Sequence, residues 1–262
     1  MLPASSFDME TQVSAVVIAK NEERTIVSCL SALCAVSDDV LLILDSSSSD
    51  KTAELAATLP VRIISYPWQG YSASKNYGAS LATHPWILCL DADEVLDTVL
   101  QNTLGSLKAD TGCYYKMNIR TWFGSDPVRF CGWYPDWNIR LYNRQTMHWS
   151  SDFVHEKLVT DQKLTAVKLE GTIEHYSFAD ENHMKQKYVY YARLRAEEWL
   201  RSGRRPSLVK RIFGPSFRFF RTFVLKLGIL DGKTGWTIAK NEYILKRNEL
   251  LHYKQLASPR GK

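Results

Sequence analysis

The stretch that most restricts the fold is Trp86-Ile87-Leu88-Cys89-Leu90-Asp91-Ala92-Asp93-Glu94, five large apolar residues that end abruptly in three carboxylates. Such a run, with no polar alternation, suits a strand buried on both faces, and strands of that kind belong to parallel sheets covered by helices. The acids then stand at the strand's carboxyl end, which in open α/β sheets faces the ligand crevice. Asp91 and Asp93 are two apart, so an extended chain points them the same way. Two convergent carboxylates repel one another unless a cation lies between them, and hard oxygen donors suit Mg²⁺ or Mn²⁺ holding a diphosphate. The same D-x-D spacing also fits a solvated turn whose Asp caps the next helix, so the motif alone leaves both readings open.

The chain before this stretch repeats one pattern. Val13-Ser14-Ala15-Val16-Val17-Ile18-Ala19 reads as a strand that stops at Lys20-Asn21-Glu22-Glu23, and a helix carrying Ile26, Leu30 and Leu33 departs from it. Val40 to Leu44 is a second strand. It is followed by the polar loop Asp45-Ser46-Ser47-Ser48-Ser49-Asp50-Lys51-Thr52 and a short helix with Leu55 and Leu59. A third strand, Val61 to Ser65, precedes a helix that starts at Gly70 and contains Ser74-Lys75-Asn76. Three βα units feeding a fourth strand predict a doubly wound sheet. Neither G-x-G-x-x-G nor G-x-x-x-x-G-K-[ST] occurs, which removes the main support for a dinucleotide or P-loop site.

Beyond Asp93 the alternation stops. Cys113 to Ile119 and Trp137 to Tyr142 read as strands joined by an aromatic loop running from Trp122-Phe123 to Trp133-Tyr134-Pro135-Asp136. Those rings either pack beneath the loop or cover a ligand. Another strand ends at Ile173-Glu174-His175-Tyr176, and Asp180 caps a helix over 181–202 that Gly203 closes.

Charge divides the chain. Residues 1–184 hold 14 Lys/Arg against 23 Asp/Glu, net −9, while residues 185–262 hold 19 against 5, net +14. A basic segment of that kind suits anionic lipid or nucleic acid. From Pro215, taken as a first-turn residue, Phe217, Phe220, Val224 and Leu227 recur at helical spacing, with Arg218 and Arg221 on another side. That pattern fits a helix lying in a membrane interface, or one packed on the catalytic domain or on the twin subunit of a homodimer. Five cysteines without a C-x-x-C pair point to a reducing compartment. The start lacks a basic and then apolar leader pattern, and no run approaches the roughly 18 apolar residues of a spanning helix. A cytoplasmic protein, peripheral on the inner face of the membrane, is the expectation.

Taken together, Ala19-Lys20-Asn21-Glu22-Glu23, Asp45-Ser46-x-Ser48-x-Asp50-x-Thr52, Ser74-Lys75-Asn76 and Asp91-Ala92-Asp93-Glu94 resemble glycosyltransferase family 2, and within it the bacterial lipopolysaccharide-core glucosyltransferase-like subgroup. Arg140-Leu141-Tyr142, Val154-His155-Glu156, His175 and the Leu227-to-Gly235 segment extend the resemblance over nearly the whole chain. It implies an α/β GT-A fold, Rossmann-like with helices on both faces of a mostly parallel sheet, over 1–178. The nucleotide-sugar half would be about 11–110 and the acceptor half 111–178, with a helical basic extension over 179–262. It further implies a nucleotide-sugar donor, UDP-linked, a Mg²⁺ or Mn²⁺ ion, inversion at the anomeric carbon, and a lipid-linked or lipopolysaccharide-core glycan as acceptor.

Carried over by position, Glu22 and Asp45 would contact ribose or base, Lys75 the nucleotide side and Asp91 the ribose, while Ala19, Asn21 and Arg140 complete the donor-binding set. Asp93 would hold the metal, with Asp91 and His175 as further ligands. Glu156 would be the catalytic base, with Asp152 the second candidate. No Q-x-x-R-W is present, so transfer of a single hexose is expected rather than polymerisation. A sugar nucleotidyltransferase would need a Gly-rich loop after the first strand, where Ala19-Lys20-Asn21-Glu22 is Gly-free. A nucleic-acid-binding protein would leave the strand-end carboxylates unexplained.

Overall fold

In the computed structural model, which describes residues 10–150 and 157–257, the first strand β1 (Val13–Ala19) is buried along its whole length. There follow α1 (Ile26–Cys34), β2 (Asp39–Asp45), α2 (Thr52–Ala56), β3 (Arg62–Tyr66), α3 (Tyr71–Leu81) and β4 (Trp86–Asp91). β2 and β4 flank β1, β3 lies outside β2, and all three pairings are parallel, as the βα repeats predict. Alternate side chains of β1 enter two different cores. Val13, Ala15 and Val17 pack with Ile26, Leu30 and Leu33 of α1, while Val16 and Ile18 join Leu41, Ile43, Ile87 and Ala79 of α3. Burial on both faces is what erases polar alternation from β1, β2 and β4. Gly78 permits the close approach of α3, since a Cβ there would stand 2.4 Å from Val16 Cγ1 and 2.9 Å from Ile43 Cγ1.

After β4 come two short elements that the hydrophobic pattern did not predict, β5 (Glu94–Leu96) and α4 (Thr98–Gly105). Asp97 opens α4 by accepting the Leu100 N–H at 2.7 Å, and Leu100 and Leu104 complete the α1 core. Then follow β6 (Cys113–Phe123), β7 (Asp126–Pro127), β8 (Asp136–Asn143), β9 (His148–Trp149), β10 (Leu158–Val159) and β11 (Thr165–Phe178). The main sheet has the order β3-β2-β1-β4-β8-β6-β11-β5, with β7 on β6. β8 runs antiparallel to β4 and β6, and β5 antiparallel to β11. The mixed α/β sheet, parallel from β3 to β4 and antiparallel beyond, is GT-A-like, as the resemblance implies.

The fold divides into two compact units, one from Met1–Ile119 and Asp136–His175, the other from Arg120–Pro135 and Tyr176–Lys262. The second unit carries α5 (Glu181–Arg201), α6 (Leu208–Phe220), a π turn at Arg221–Leu225, a 3₁₀ turn at Gly228–Asp231 and α7 (Gly232–Ala257). Asp180 caps α5 by accepting the His183 N–H at 2.8 Å, and Gly203 follows its end with φ 65°, as the sequence predicts. The aromatic segment belongs to this unit's core. Trp133 lies 5.8 Å from Phe178, which packs with Val128, Met184, Tyr188 and Ile238.

One expectation is corrected. Pro215 is not in a first turn, because α6 begins at Leu208, where the Ser207 hydroxyl accepts the Lys210 N–H, and Pro215 lies buried inside the helix. The proline withholds a donor from the Arg211 carbonyl, a local cost that the cap and the burial of its ring offset. Among the described residues no helix is long and apolar enough to cross a membrane, and all five cysteines are free.

Candidate functional site

β1, β2 and β4 run parallel, so the loops that leave Ala19, Asp45 and Asp91 emerge at one carboxyl edge of the sheet. Connections from β1 and from β4 lead to opposite sides there, which makes this the switch point where open α/β sheets hold ligands. The first two loops are joined by side chains. Asn21, at φ 54°, donates its N–H to Ser48 Oγ at 3.0 Å, and its Oδ1 accepts the Ser49 N–H at 2.8 Å. The Glu22 N–H donates to Thr52 Oγ1 at 2.8 Å and the Glu23 N–H to Asp50 Oδ2 at 3.0 Å. Asn tolerates the left-handed region better than most residues because its short polar side chain can hydrogen-bond locally, as it does here.

Asp45 is buried beneath this seam. Its Oδ1 accepts the Ser47 N–H at 2.9 Å and the Ser47 hydroxyl at 2.8 Å, and Lys20 Nζ lies 3.0 Å from Oδ2. Burial alone would raise the Asp45 carboxyl, but these bonds and the Lys20 charge outweigh it and hold it below the usual range. Ala19, Asn21, Glu22 and Asp45, the expected donor-binding residues of the first two loops, are thus gathered on one stiffened edge.

At the end of β4, Asp91 lies between two buried cations. Lys75 Nζ is 3.2 Å from Oδ1 and Arg140 Nη2 is 3.3 Å from Oδ2. The same Arg140 nitrogen pairs with Glu94 Oε1, while Glu94 Oε2 accepts the Asp91 N–H at 3.1 Å. Burial pushes the Asp91 carboxyl up, yet Lys75 and Arg140 prevail and hold it well below the ordinary carboxylate range. Glu94 goes the other way. It is wholly buried, and that desolvation raises its carboxyl despite Arg140. Lys75 is fixed from its other side by the Trp149 ring, 4.6 Å from Nζ. Trp149 is in turn bracketed by the Asn76 amide, which donates to its carbonyl at 2.9 Å and accepts its N–H at 3.0 Å.

Asp93 faces His175, with Oδ2 at 3.3 Å from Nε2. The contact follows from register, because the pairing of β11 with β5 sets His175 opposite Glu94. Burial disfavours the imidazolium, but the Asp93 hydrogen bond and charge raise the His175 pKa above its ordinary value. A carboxylate beside an imidazole suits a divalent ion that takes its other ligands from a bound substrate. Asp91 is less suited, since an ion beside it would meet the like charge of Lys75 and Arg140. Among the described residues no cluster of three or more His, Cys, Asp or Glu forms a complete metal cage. The expected bases Glu156 and Asp152 lie outside the described residues.

Glu94, Asn76, Ser48 and Thr52 stand in the sequence motifs without a role assigned to them, and Trp149 was not singled out. Glu94 is visible as the third carboxylate of the strand-end run, but nothing local marks its pairing with Arg140, 46 residues on.

Comparison with known proteins identifies the family. The model of Glycosyl transferase family 2 matches residues 14–156, a span that holds every expected site residue except His175. The lipopolysaccharide core biosynthesis glycosyltransferase LpsC of Rhizobium meliloti is 30% identical over 224 residues, covering 80% of this chain and 80% of its own. An uncharacterized glycosyltransferase of Rickettsia typhi is 24% identical over 243 residues, covering 86% of this chain and 80% of its own. Among solved structures, S. aureus TarS aligns over 92% of this chain and 55% of its own, with a TM-score of 0.45 and 14% identity. On the family match and the LpsC relative, the chain belongs to glycosyltransferase family 2.

Proposed function

We propose that this glycosyltransferase moves one hexose from a UDP-linked donor to a lipid-linked or lipopolysaccharide-core glycan, with inversion and with the help of a divalent cation. The observation that carries the reading is the charge balance at the strand ends. Lys20 is matched by Asp45, Lys75 by Asp91, and Arg140 by Asp91 and Glu94, so these cations are already spent on the chain's own carboxylates. A diphosphate entering the crevice therefore needs positive charge from elsewhere. Asp93 and His175 would hold Mg²⁺ or Mn²⁺, which when bound supplies Lewis-acid stabilisation to a diphosphate leaving group.

The chain's own residues do the rest. Glu22 and Asp45 offer carboxylate acceptors to base and ribose, and the joined loops keep them in place without reorganisation on binding. Asp91, one-third exposed, presents its carboxylate to the ribose while Lys75 and Arg140 keep it ionised. Glu156, or failing it Asp152, takes the proton of the acceptor hydroxyl as the new bond to the anomeric carbon forms and the bond to the phosphate oxygen breaks. The role of the Rhizobium meliloti relative in lipopolysaccharide core biosynthesis supports a glycolipid acceptor. Such an acceptor is met at the cytoplasmic face of a membrane.

The test is nucleotide release from a panel of nucleotide sugars with Mg²⁺ or Mn²⁺. One donor should turn over, the rate should vanish with chelator, and Asp93→Ala should lose on the order of a hundredfold or more. Full activity in Asp93→Ala, or turnover indifferent to chelator, would refute the metal assignment. With acceptor present, Glu156→Gln should fall by about 10²–10⁴-fold.

A further inference from the structure

We propose that the cavity formed by the α5–α6 turn, α6 and α7 binds the phosphate of an anionic lipid, while the solvent-facing apolar side of α6 lies in the interface of the same bilayer. The inference concerns the second unit alone and does not rest on the donor chemistry.

The cavity, about 380 Å³, is lined by six cations: Arg204, Arg205, Lys210, Arg218, Arg221 and Lys246. Two of them are neutralised. Arg218 pairs with the Glu242 carboxylate, which also accepts the Tyr188 hydroxyl at 2.8 Å. Lys246 Nζ lies 2.6 Å from Glu249 Oε2 and 4.5 Å from the Trp199 ring. Among the described residues no carboxylate forms an ion pair with Arg204, Arg205, Lys210 or Arg221. Four uncompensated charges around one concavity repel each other, and a phosphate that accepts several charge-assisted hydrogen bonds relieves them. An ordinary solvated helix face intersperses both signs. Here residues 199–230 contain eight Lys/Arg and no Asp or Glu.

The apolar side supplies the second observation. Phe213, Phe217, Phe220 and Val224 are 61%, 58%, 47% and 43% exposed and stand in one row at helical spacing, with Leu208 and Ile212, also exposed, on the adjoining side. A contiguous apolar row in water marks a surface that something covers. A second copy of the chain would bring this acid-free basic segment against its own duplicate. Nucleic acid offers phosphate but nothing for the apolar row. An anionic bilayer meets both, with lipid phosphates for the cavity and acyl chains for the row, and Lys210 and Arg221 at the row's margin can reach up to the headgroups.

The test is co-sedimentation of the full chain with vesicles of phosphatidylcholine alone and of phosphatidylcholine mixed with phosphatidylglycerol. Binding should require phosphatidylglycerol. Each cation removed should cost roughly fivefold, so Arg205→Ala/Arg221→Ala should bind roughly 25-fold more weakly, whereas Arg205→Lys/Arg221→Lys should retain most binding. Phe213→Ser/Phe217→Ser should abolish capture. Nucleotide release should stay at the wild-type rate in all three variants, which shows that they fold and separates this site from the donor site. Wild-type vesicle binding by the Arg→Ala pair would overturn the proposal, as would equal binding to both vesicle types. So would displacement by inorganic phosphate but not by chloride of equal ionic strength, which would identify free phosphate as the ligand. Dimerisation lost in the Phe variant, without vesicle capture, would assign the row to a second copy instead.

Discussion

Arg140→Met removes the cation that Asp91 and Glu94 share while keeping most of the side chain's bulk. Asp91 loses one of two partners and retains Lys75 at 3.2 Å, so the larger consequence falls on Glu94, which is fully buried and keeps only the Asp91 N–H. Orphaning one member of a buried ion pair costs about 3–5 kcal/mol. The loss has a ceiling, because Glu94 can take up a proton instead. At pH 7, protonating a carboxyl whose unfolded pKa is about 4.3 costs roughly 3.7 kcal/mol, and at pH 5 roughly 1 kcal/mol.

The sign follows from linkage. In the variant the folded state binds the Glu94 proton and the unfolded state does not, so stability is lost as pH rises above about 4.3 toward the raised folded value. For a chain of this size the deficit corresponds to a melting point lower by about 7–15 °C at pH 7 and only about 2–4 °C at pH 5. Thermal melts at the two pH values read this directly. Arg140→Met/Glu94→Gln, with no buried charge to orphan, should recover most of the deficit at pH 7. Equal deficits at both pH values, or a double variant no better than the single one, would refute the reasoning.

Gly78→Val should lower stability by at least about 1–3 kcal/mol, because even its Cβ overlaps Val16 and Ile43 side chains that are themselves buried in the core between the sheet and α3; an unchanged urea midpoint would mean that α3 can slide on the sheet. Asp39 accepts the Ser14 hydroxyl at 2.5 Å and the Thr83 N–H at 2.7 Å, with Arg62 at 2.8 Å, and these outweigh burial to lower its pKa. Its contribution is therefore present above the unfolded value of about 3.9 and is lost as pH falls through the lower folded value. Asp39→Asn should be less stable than wild type at pH 7 and should converge with it in acid; parallel midpoint curves across that range would contradict the assignment.

What the sequence discloses here depends on how local the cause is. Two-faced burial acts residue by residue, so β1, β2 and β4 can be read directly from uninterrupted apolar runs. The loops after β1 and β2 can be read as polar turns, but their joining cannot, since Asn21 meets Ser48 and Glu22 meets Thr52 only once two strands lie side by side. Arg140 is a sharper case. It reaches Asp91 because β8 returns antiparallel beside β4 with Leu141 opposite Leu88, a register set by the packing of the whole sheet. His175 reaches Asp93 by the equivalent return of β11 beside β5, a strand too short to announce itself. Pro215 shows a local rule outvoted, because the preference for a first turn yields when Ser207 supplies a better start and the ring finds a buried place. The carboxylates of this site were visible because each strand end exposes its own residues. Lys75, Arg140 and His175 entered the site through the family resemblance, but which carboxylate each balances was not visible, since a counter-charge is chosen by distance in space and a sequence orders residues by distance along the chain.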